Sequence, residues 1–471
     1  MFKVKKICCI GAGFVGGPTM AVIAKNCPEL DIKIVDINEN PINLWNSIDL
    51  NNLPVFEPGL SEIIKSVRDK NLFFSINVEE AIREADMIFI SVNTPIKQKG
   101  IGAGETSDLT WVESCARQIS KIAVGHTIVV EKSTLPVKTA QTIKDILSSS
   151  KNKNNEERSF TVLSNPEFLA EGSAIKDLEN PDRVLIGGDD HKSMEELKKI
   201  YLNWVPDKKI IFTNLWSSEL SKLSANAFLA QRISSINSIS AICEVTGANI
   251  NEVSHAVGQD SRIGSKFLKS GPGFGGSCFK KDILNLVYLS KYYGLNEVAN
   301  FWKNVVEINE WQQKRIYKEI VKRLFGNLAD KKIAILGFSF KENTNDTRES
   351  PAISICNNLI NEGAFLSIHD EIVKKSNIEK DLHRAEKNLE NPKNNKIYEW
   401  EYQFDIYECF KDSDAAIFLT DMPIYKNLDW QKISSIVKNP FWVFDTRSIL
   451  DYEYIKEFNL NIWQLGNGLN Q

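Results

Sequence analysis

Runs of consecutive apolar residues, each followed by glycine or small polar residues, recur in the first third of the chain and again near its end. Runs of this length predict strands buried on both faces, as in a parallel sheet covered by helices. The N-terminal block contains KKICCI, DIKIV, ADMIFI and HTIVV, and the C-terminal block contains KKIAIL, FLSIH, AAIFL and FWVF. Because helix-like segments alternate with these strands, each block predicts a doubly wound α/β domain of the Rossmann type.

A long segment without proline or glycine separates the two blocks. It begins at Trp216 and ends just before Gly247. The segment predicts a helix of about 30 residues, roughly 45 Å long at the usual rise, with Ser217 or Ser218 as its cap. Small polar residues alternate with isoleucines along it, which suits close helix packing. The helix is therefore a candidate for a domain linker and a dimer interface, with burial inside one subunit as the alternative.

These patterns predict an α/β protein with two Rossmann-like doubly wound domains, joined by a long central helix with an all-α dimerisation region. We place the first Rossmann-like domain at residues 1–215, the helical linker and dimerisation domain at 216–325, and the second Rossmann-like domain at 326–471. Two polar stretches, 148–159 and 374–403, are predicted to be a surface loop and an exposed excursion.

The first apolar run leads directly into a glycine motif, GAGFVG, and then into a predicted helix. Gly11 would make the tight turn, Gly13 would let the backbone approach a pyrophosphate, and Gly16 would let helix and strand pack closely. Asp36 ends the second strand, 20 residues after Gly16, where a carboxylate binds adenosine ribose hydroxyls and repels a 2′-phosphate. The pattern predicts an NAD site, with a plain glycine turn as the alternative. The C-terminal block has only Gly337 at its first turn, so no second dinucleotide is expected there.

Small polar residues follow the next two strands, at the edge where the carboxyl ends of parallel strands line a ligand crevice. Thr94, Ser133 and Thr134 are for that reason candidates to face the cofactor. Ordinary turn chemistry before a proline accounts for the same residues. Both interpretations stay open at this point.

The charge balance and the cysteine spacing narrow the classes of partner. Lys and Arg (57) nearly balance Asp and Glu (61), giving a net charge of −4, so no field attracts a nucleic acid and an anionic ligand needs a local site. No window has the roughly 18 uninterrupted apolar residues of a membrane span, and the N-terminus lacks a signal-peptide pattern. We therefore expect no membrane contact and a cytoplasmic protein.

The eight cysteines are scattered without a CxxC pair, which predicts neither disulfides nor a metal site.

Cys278 differs from the other cysteines in its surroundings. It lies in GPGFGGSCFKKD, a glycine-rich loop just before a predicted helix. The helix N-terminus and the cations Lys280 and Lys281 favour a thiolate, and the glycines leave room for a substrate at the sulfur, which predicts a nucleophile. A structural cysteine in a phosphate-binding loop is the alternative, and Asp282 fits either a helix cap or a catalytic carboxylate.

Two further pairs of polar residues are each four positions apart. Lys222 and Asn226 share a face of the long helix, where an ammonium and an amide suit a developing oxyanion. Glu167 and Glu171, in NPEFLAEG just after a strand, form a potential acid–base pair. Taken alone, both pairs are equally compatible with solvated positions on a helix surface.

The motifs occur in one order over nearly the whole chain and closely resemble the nucleotide-sugar dehydrogenase family, in particular the UDP-glucose 6-dehydrogenases. They are GAGFVGGP, SVNTP, EKSTLPV, NPEFLAEG, GFGGSCFKKD, GFSFK and DTRESP. The resemblance implies an NAD-dependent four-electron oxidation of UDP-glucose to UDP-glucuronate, with two NADH per sugar, by a homodimer or a higher homo-oligomer such as a hexamer. It also implies that Cys278 captures the aldehyde as a thiohemiacetal, which is oxidised to a thioester that water cleaves.

The resemblance further implies roles for individual residues and no metal. It assigns catalysis to Cys278, Lys222, Asp282, Glu167, Asn226 and Thr134. It assigns the cofactor site to Gly11, Ala12, Gly13, Phe14, Val15, Gly16, Asp36, Val92, Asn93, Thr94, Pro95, Ser133, Thr134, Glu171 and Arg348. It assigns the UDP-sugar site to Glu167, Phe168, Leu169, Ala170, Glu171, Lys222, Asn226, Lys269, Ser270, Gly271, Pro272, Gly273, Phe274, Gly275, Phe340, Lys341, Arg447 and Arg262, the last reaching the neighbouring subunit.

Three other functions stay open on the residues alone. A dehydrogenase for UDP-N-acetylmannosamine or GDP-mannose would use the same cysteine chemistry with a different sugar pocket. A two-electron β-hydroxyacid dehydrogenase shares the first domain and the long helix but needs no nucleophilic cysteine and no second nucleotide domain. A binding or scaffold protein has no need of Cys278, Lys222 and Asp282, all of which are present.

Overall fold

The structure is a computed structural model that describes residues 2–133, 138–149, 158–387 and 400–470. The chain divides into two units, one with a mostly parallel sheet and one with a parallel sheet. The first unit consists of Met1–Ala225 and Leu284–Ala299, and the second of Asn226–Ile283 and Asn300–Gln471. The fold class predicted from the apolar runs is confirmed, whereas the three domain boundaries stay a prediction.

The first unit contains an eight-stranded sheet within the described ranges, in the order β3-β2-β1-β4-β5-β6-β7-β8. Its neighbouring strands pair in parallel except β6 with β7. The strands are β1 Lys6–Ile10, β2 Asp31–Val35, β3 Leu72–Ser75, β4 Met87–Ile90, β5 His126–Glu131, β6 Ser159–Ser164, β7 Val184–Gly187 and β8 Ile210–Thr213. The helices are α1 Gly16–Asn26, α2 Glu39–Trp45, α3 Leu60–Val67, α4 Val78–Glu84, α5 Thr110–Ile122, α6 Thr139–Ser148, α7 Ala174–Glu179 and α8 His191–Tyr201.

Helices α9 Leu215–Thr246, α11 Phe279–Tyr292 and α12 Asn296–Arg323 each have residues in both units. The second unit adds α10 Ile250–Gly258 and a six-stranded parallel sheet in the order β11-β10-β9-β12-β13-β14. Its strands are β9 Lys332–Leu336, β10 Phe365–His369, β11 Trp400–Tyr402, β12 Ala415–Phe418, β13 Trp442–Asp445 and β14 Asn461–Gln464. Its remaining helices are α13 Pro351–Asn361, α14 Lys375–Lys387, α15 Ile406–Phe410, α16 Trp430–Ile436 and α17 Tyr452–Lys456.

Both faces of the first sheet are covered by apolar side chains, as continuous apolar strands require. In β1, Ile7 and Cys9 belong to one apolar cluster, while Cys8 and Ile10 belong to another. Successive side chains of a strand point to opposite faces, so the sheet has one core on each face. The faces of the sheet are therefore occupied by apolar side chains, and binding groups are left to the loops at the strand ends.

The long central helix is confirmed, with a different cap from the predicted one. Helix α9 extends over 32 residues. Asn214, not Ser217 or Ser218, caps it, because its Oδ1 accepts a hydrogen bond from the Ser217 amide at 2.8 Å. Ser218 is instead fully buried, with its hydroxyl 3.4 Å from the Ser164 carbonyl oxygen. The helix thus begins one residue before the segment that the sequence pattern marked.

The polar stretch at 374–403 is only partly covered by the structure, because residues 388–399 lie outside the described ranges. At its two ends the predicted exposed excursion is wrong: these ends form α14 and β11, and Ile378 and Leu382 of α14 are buried in the core of the second unit. Strand β11 pairs with β10 and becomes the edge of the sheet. Of the predicted surface loop at 148–159, only the flanking residues lie within the described ranges.

Candidate active site and cofactor site

In the turn between β1 and α1, Gly11 and Gly16 are required by close contacts within the protein itself. Gly11 has a φ of +112°, and a Cβ there would lie 2.3 Å from the Ser91 carbonyl oxygen. A Cβ on Gly16 would lie 2.1 Å from the Gly11 carbonyl oxygen. No side chain fits at either position, so strand, turn and helix approach one another as the motif predicts.

Gly13 is different, because a Cβ on it would meet no atom of the described residues within 4 Å apart from its chain neighbours. No contact among those residues explains a glycine here, whereas a diphosphate lying against the backbone does. Asp36 stands at the same turn: its Oδ2 accepts a hydrogen bond from the Ala12 amide at 3.1 Å and its Oδ1 accepts one from the Asn38 amide at 2.9 Å. The Asp36 carboxylate is partly exposed, as binding of ribose hydroxyls requires. These residues fit a dinucleotide such as NAD.

Several other predicted cofactor residues of the first unit lie at the carboxyl ends of β4 and β5. Ser133 donates a hydrogen bond to the Val92 carbonyl oxygen at 2.8 Å and so ties the two strand ends together. Thr94 is buried, while Asn93 and Pro95 are exposed. Phe14 and Val15 are partly exposed in the glycine turn, and Thr134 lies outside the described residues.

Glu167 and Lys222 form a buried ion pair. Their side chains are only 5% and 4% exposed, and Lys222 Nζ is 2.9 Å from Glu167 Oε1. The other carboxylate oxygen accepts a hydrogen bond from the Leu169 amide at 2.9 Å, and the Phe168 ring lies 5.4 Å from Lys222 Nζ. Burying two charged side chains costs free energy of folding. A buried pair of this kind therefore suggests a function other than stabilising the fold. It joins two residues that the sequence marked as separate candidates.

The acid pair Glu167 and Glu171 does not lie on a helix, because residues 165–172 are irregular. This segment is held by Glu57, which the sequence reasoning missed. The Glu57 carboxylate is 6% exposed and accepts hydrogen bonds from the Gly172 amide at 2.8 Å and the Ala174 amide at 3.0 Å. Its partners are more than a hundred positions away in sequence, so no local pattern indicates the contact.

Cys278 stands at the N-terminal end of α11, as its loop predicted. Its carbonyl oxygen accepts the helix hydrogen bond from the Asp282 amide at 2.9 Å, and its partly exposed sulfur is 3.5 Å from the Ser277 hydroxyl. The N-terminal end of a helix stabilises a thiolate. Asp282 is the fourth residue of the helix rather than its cap. Its Oδ2 accepts a hydrogen bond from the buried Asn226 amide at 2.6 Å.

The loop before Cys278 is held in place by amide side chains of α9 and α12. Asn237 Oδ1 accepts from the Gly271 amide at 2.9 Å, and Gln312 Nε2 donates to the Gly271 carbonyl oxygen at 2.9 Å. Asn309 accepts from the Phe274 amide at 2.8 Å and donates to its carbonyl oxygen at 3.0 Å. The backbone of the loop is thus fixed before any ligand binds.

Two polar atoms at this loop have no hydrogen-bond partner among the described residues. They are the Ser270 hydroxyl and Asn237 Nδ2, and both side chains are buried. A buried polar atom without a partner is rare in native proteins and indicates a missing ligand or water. The predicted residues Pro272, Gly273 and Gly275 are buried beside them.

Arg447 lies against the same loop. Its guanidinium donates to the carbonyl oxygens of Leu419 at 2.7 Å and Phe340 at 3.1 Å. A Cβ on Gly271 would lie 3.2 Å from its Nη1, so that glycine admits the arginine. Lys341 lies over the Phe340 ring at 5.4 Å. These contacts place a cation and a ring beside the glycine loop, a combination that suits a nucleoside diphosphate.

Three of the predicted basic residues form ion pairs with aspartates of this chain. Lys269 pairs with Asp421 at 2.9 Å at the start of the loop. Arg262 is 86% exposed and pairs with Asp260 at 2.6 Å, so its reach into a neighbouring subunit stays a prediction. Arg348 pairs with Asp346 at 2.6 Å, and its cofactor contact likewise stays a prediction.

In the described ranges, no group of three or more His, Cys, Asp or Glu side chains is arranged to hold a metal ion. None of the helices within those ranges combines the length and hydropathy that crossing a bilayer requires.

Comparison with known proteins gives matches along the whole chain. Models of the UDP-glucose/GDP-mannose dehydrogenase family match residues 5–205 (NAD binding domain), 216–311 (central domain) and 334–452 (UDP binding domain). UDP-glucose 6-dehydrogenase 2 of Arabidopsis thaliana is 51% identical, over 99% of this chain and 98% of the relative, and UDP-glucose 6-dehydrogenase 1 of Glycine max is 50% identical over the same shares. The solved UDP-glucose dehydrogenase of Pyrobaculum islandicum has a TM-score of 0.81 and 27% identity over 98% of each chain.

Proposed function

Because the chain belongs to the UDP-glucose/GDP-mannose dehydrogenase family, we propose that it catalyses the four-electron oxidation of UDP-glucose to UDP-glucuronate with NAD, in two steps of two electrons each. The observation that carries this proposal is the thiol of Cys278 at a helix N-terminus, directly after a glycine loop with unpartnered polar atoms. A simple alcohol dehydrogenase needs no such thiol. Covalent capture of an aldehyde does.

The cofactor supplies the acceptor for the hydride that leaves the sugar carbon in each oxidation. The residues that would hold it are Asp36 at the adenosine ribose and the backbone around Gly13 at the diphosphate. Ser133 ties the ends of β4 and β5 together and so keeps the strand edge in place for the rest of the cofactor. Ala12, buried beneath the turn, orients Asp36 through its amide.

In the first oxidation, the Glu167 carboxylate takes the proton of the C6 hydroxyl as the C6 hydride leaves, which gives the aldehyde. Lys222 stabilises the negative charge that develops on the oxygen, because its ammonium is buried and already oriented by Glu167 at 2.9 Å. Removal of the hydride and the proton accounts for two of the four electrons.

In the second oxidation, the Cys278 thiolate forms a C–S bond with the aldehyde carbon, the C=O π bond breaks, and the oxygen takes the proton held by Glu167 to become a thiohemiacetal hydroxyl. Loss of a second hydride to the cofactor's acceptor and return of the hydroxyl proton to Glu167 leave a thioester. Water then adds to its carbonyl carbon and the C–S bond breaks, which releases the carboxylate and restores the thiolate. Asp282, oriented by Asn226 at 2.6 Å, is placed to take a proton from that water.

For binding of the UDP-sugar we assign the loop from Lys269 to Gly275 and the side chains of Arg447, Phe340 and Lys341. Arg447 is fixed by two carbonyl oxygens beside Gly271, so it meets a diphosphate without reorganising. The buried Ser270 hydroxyl gains a partner when the ligand is bound. Because Cys278 follows this loop closely in sequence, a UDP-sugar bound there would have its sugar close to the thiol.

We also propose a cytoplasmic homodimer or larger homo-oligomer such as a hexamer. The mechanism needs a reduced Cys278, which a reducing compartment maintains. Large apolar side chains of α9 and α12 are exposed in the second unit: Phe228 (57%), Ile242 (55%), Val245 (77%) and Phe301 (52%). An apolar surface of this kind suits a second copy of the chain. Light scattering of the purified protein tests it, and a monomer at all concentrations would refute it.

The proposed reaction is tested by the NADH formed per UDP-glucose consumed, with purified protein, excess NAD⁺ and limiting sugar. Two NADH per sugar support the coupled double oxidation. One NADH would mean that the reaction stops at the aldehyde. If none forms, the same assay with UDP-N-acetylmannosamine and GDP-mannose decides whether another sugar is the substrate.

A further inference from the structure

Glu57 has a buried carboxylate that binds two backbone amides of a distant segment. The residue is 6% exposed. Its Oε1 accepts a hydrogen bond from the Gly172 amide at 2.8 Å, and its Oε2 accepts one from the Ala174 amide at 3.0 Å. Burying a carboxylate costs free energy of folding, and hydrogen bonds from backbone amides to the charged oxygens offset that cost. The two amides therefore explain why an acid stands at this position.

The backbone that carries Glu57 is anchored in the core of the first unit. Val55 is 3% exposed and Leu60 is 1% exposed, and both belong to the same apolar cluster. The Glu57 carbonyl oxygen accepts a hydrogen bond from the Leu60 amide at 3.1 Å, where α3 begins. The carboxylate thus stands on a fixed backbone and can hold another segment in place.

The segment that Glu57 holds is irregular, so neither a helix nor a sheet fixes it. It consists of residues 165–172, between β6 and α7. Its first residue, Asn165, is fixed by its side chain: the Oδ1 accepts hydrogen bonds from Lys132 Nζ at 3.0 Å and from the Tyr201 hydroxyl at 2.6 Å. Glu57 provides the corresponding anchor at the other end of the segment.

The last residue of the segment depends on its backbone conformation to reach this anchor. Gly172 has a φ of +81°, which residues with a Cβ rarely adopt. Two residues later, Ala174 begins α7 and donates to the second oxygen of Glu57. One carboxylate therefore binds both the end of the irregular segment and the start of the next helix.

Glu167 lies between the two anchored ends. Its Oε1 is 2.9 Å from Lys222 Nζ, and its Oε2 accepts a hydrogen bond from the Leu169 amide at 2.9 Å. Lys222 belongs to α9, whereas Glu167 belongs to the irregular segment, so the ion pair depends on where the segment lies against the helix. A displacement of about 1 Å at a reacting group can lower a rate about 100-fold.

We propose that Glu57 is a positioning residue for the reaction assigned above. By binding the two amides at the end of segment 165–172, it keeps Glu167 paired with Lys222 and in place to take the proton of the C6 hydroxyl. The inference rests on the proposed function, in which Glu167 is the base. Glu57 acts through Glu167 and is assigned no contact with the substrate.

The first readout is kcat for UDP-glucose in Glu57→Gln. This change keeps the size of the side chain and one acceptor oxygen, but it turns an NH₂ group toward the other backbone amide. We expect kcat to fall about tenfold or more, while the Kd of NAD stays within about twofold of the wild type. If Glu57→Gln does not fold, Glu57→Asp, which keeps the charge and shortens the side chain by one carbon, takes its place.

The second readout separates positioning from a general loss of stability. In a Glu167→Gln background, the change at Glu57 should lower kcat by less than about twofold, because the group that it positions is already absent. The matched control is Asp190→Ala. The Asp190 carboxylate accepts from the Ser193 amide at 2.8 Å at the start of α8, so this variant also removes a carboxylate–amide contact of the first unit. It should lower the melting temperature by about 2–4 °C and keep kcat within about twofold.

The third readout needs no turnover. Amide hydrogen exchange of the full chain, followed by mass spectrometry, should be about threefold or more faster in Glu57→Gln for peptides covering residues 165–174. Peptides covering α8 should exchange as in the wild type.

A large loss of kcat in Glu57→Gln that nearly disappears in the Glu167→Gln background supports the proposal, as does faster exchange confined to 165–174. An unchanged kcat in folded Glu57→Gln, an equal loss in the Glu167→Gln background or in Asp190→Ala, or unchanged exchange overturns it and leaves the proposed function intact. Absence of UDP-glucose turnover in the wild type would overturn the proposed function and this inference with it.

Discussion

The first six strands of the N-terminal sheet and the six strands of the C-terminal sheet follow the same order, so that β1 corresponds to β9 and β2 to β10. Each central strand ends in a glycine with positive φ, +112° at Gly11 and +91° at Gly337. Each neighbouring strand is followed by an aspartate, Asp36 in one sheet and Asp370 in the other. The two edges differ in what these aspartates bind.

Asp370 is buried and its carboxylate is used entirely by its own chain. Its Oδ2 accepts from the Phe338 and Ser339 amides at 2.7 and 3.1 Å, and its Oδ1 accepts from the Ile372 and Val373 amides at 2.9 and 2.8 Å. The C-terminal turn is therefore filled by a carboxylate.

Around Asp36 the carboxylate remains partly exposed, and the second glycine of the motif, Gly13, faces open space. The strand order determines where a ligand site can form. The residues after the first glycine determine whether the site is left open for a dinucleotide or closed by the protein.

The largest expected effect tests the proposed roles of the two units, in which the N-terminal turn binds the cofactor and the second unit supplies the nucleophile. Cys278→Ala should lower kcat for UDP-glucuronate formation by about 10³-fold or more, because no other group captures the aldehyde. NAD binding, measured by fluorescence titration, should stay within about twofold of the wild type. Cys115→Ala, which removes a buried thiol of the first unit, is the matched control. Substantial glucuronate formation by Cys278→Ala would exclude the covalent route.

Gly337→Ala tests whether the C-terminal turn is closed. Its Cβ would lie 2.4 Å from the Thr420 Cβ, in a backbone conformation that alanine rarely adopts. We expect a loss of about 3 kcal/mol in the stability of the fold, seen as a lower melting temperature in calorimetry. NAD affinity of the folded protein should not change. An unchanged melting temperature would mean that the turn has room that the structure does not show.

Gly13→Val is the counterpart at the open turn. Apart from its chain neighbours, no atom of the described residues lies within 4 Å of the position of its Cβ, so the melting temperature should change little. The side chain would occupy the space of a diphosphate, and we expect the NAD Kd to rise about tenfold or more, which is about 1.4 kcal/mol or more. If instead stability falls and NAD affinity is retained, Gly13 is required by the fold and the contrast with Gly337 disappears.

Much of this contrast was predictable from the sequence, because it depends on local patterns. The apolar runs indicate the strands, GAGFVG indicates the open turn, and the cysteine loop indicates a thiol at a helix start. Each of these patterns consists of residues that are close together in sequence. The long helix follows from the absence of proline and glycine. Its cap was misassigned because serine at 217 and asparagine at 214 are equally good caps in sequence.

The contacts that the sequence did not indicate join residues far apart in the chain. Glu57 holds the amides of Gly172 and Ala174, and Lys132 binds Asn165 and Tyr201. Strand β11 was missed because its short, half-buried WEY segment lies in a polar stretch, and only pairing with β10 makes it a strand. Such features depend on tertiary packing rather than on periodicity.

The smallest expected effect concerns the fifth strand of each set. Asp445, at the end of β13, accepts backbone hydrogen bonds from the amides of Ile449 and Leu450, each at 3.0 Å. Glu131, at the end of β5, is buried close to a second acid, Glu219, and burial raises the pKa of both. Two carboxyls buried together favour a state in which one of them keeps its proton.

A raised pKa in the folded state means that the folded protein binds more protons than the unfolded chain above the usual pKa of 4.5, so stability falls as pH rises from there. Glu131→Gln keeps a donor toward Glu219 and removes this dependence. We expect it to gain about 1 kcal/mol at pH 8 relative to the wild type, with a smaller gain at pH 5. Asp445→Asn should lose stability at both pH values, because it presents an amide to backbone N–H groups. Urea unfolding at the two pH values measures the difference, and parallel curves for Glu131→Gln and the wild type would show that the acid pair holds no extra proton.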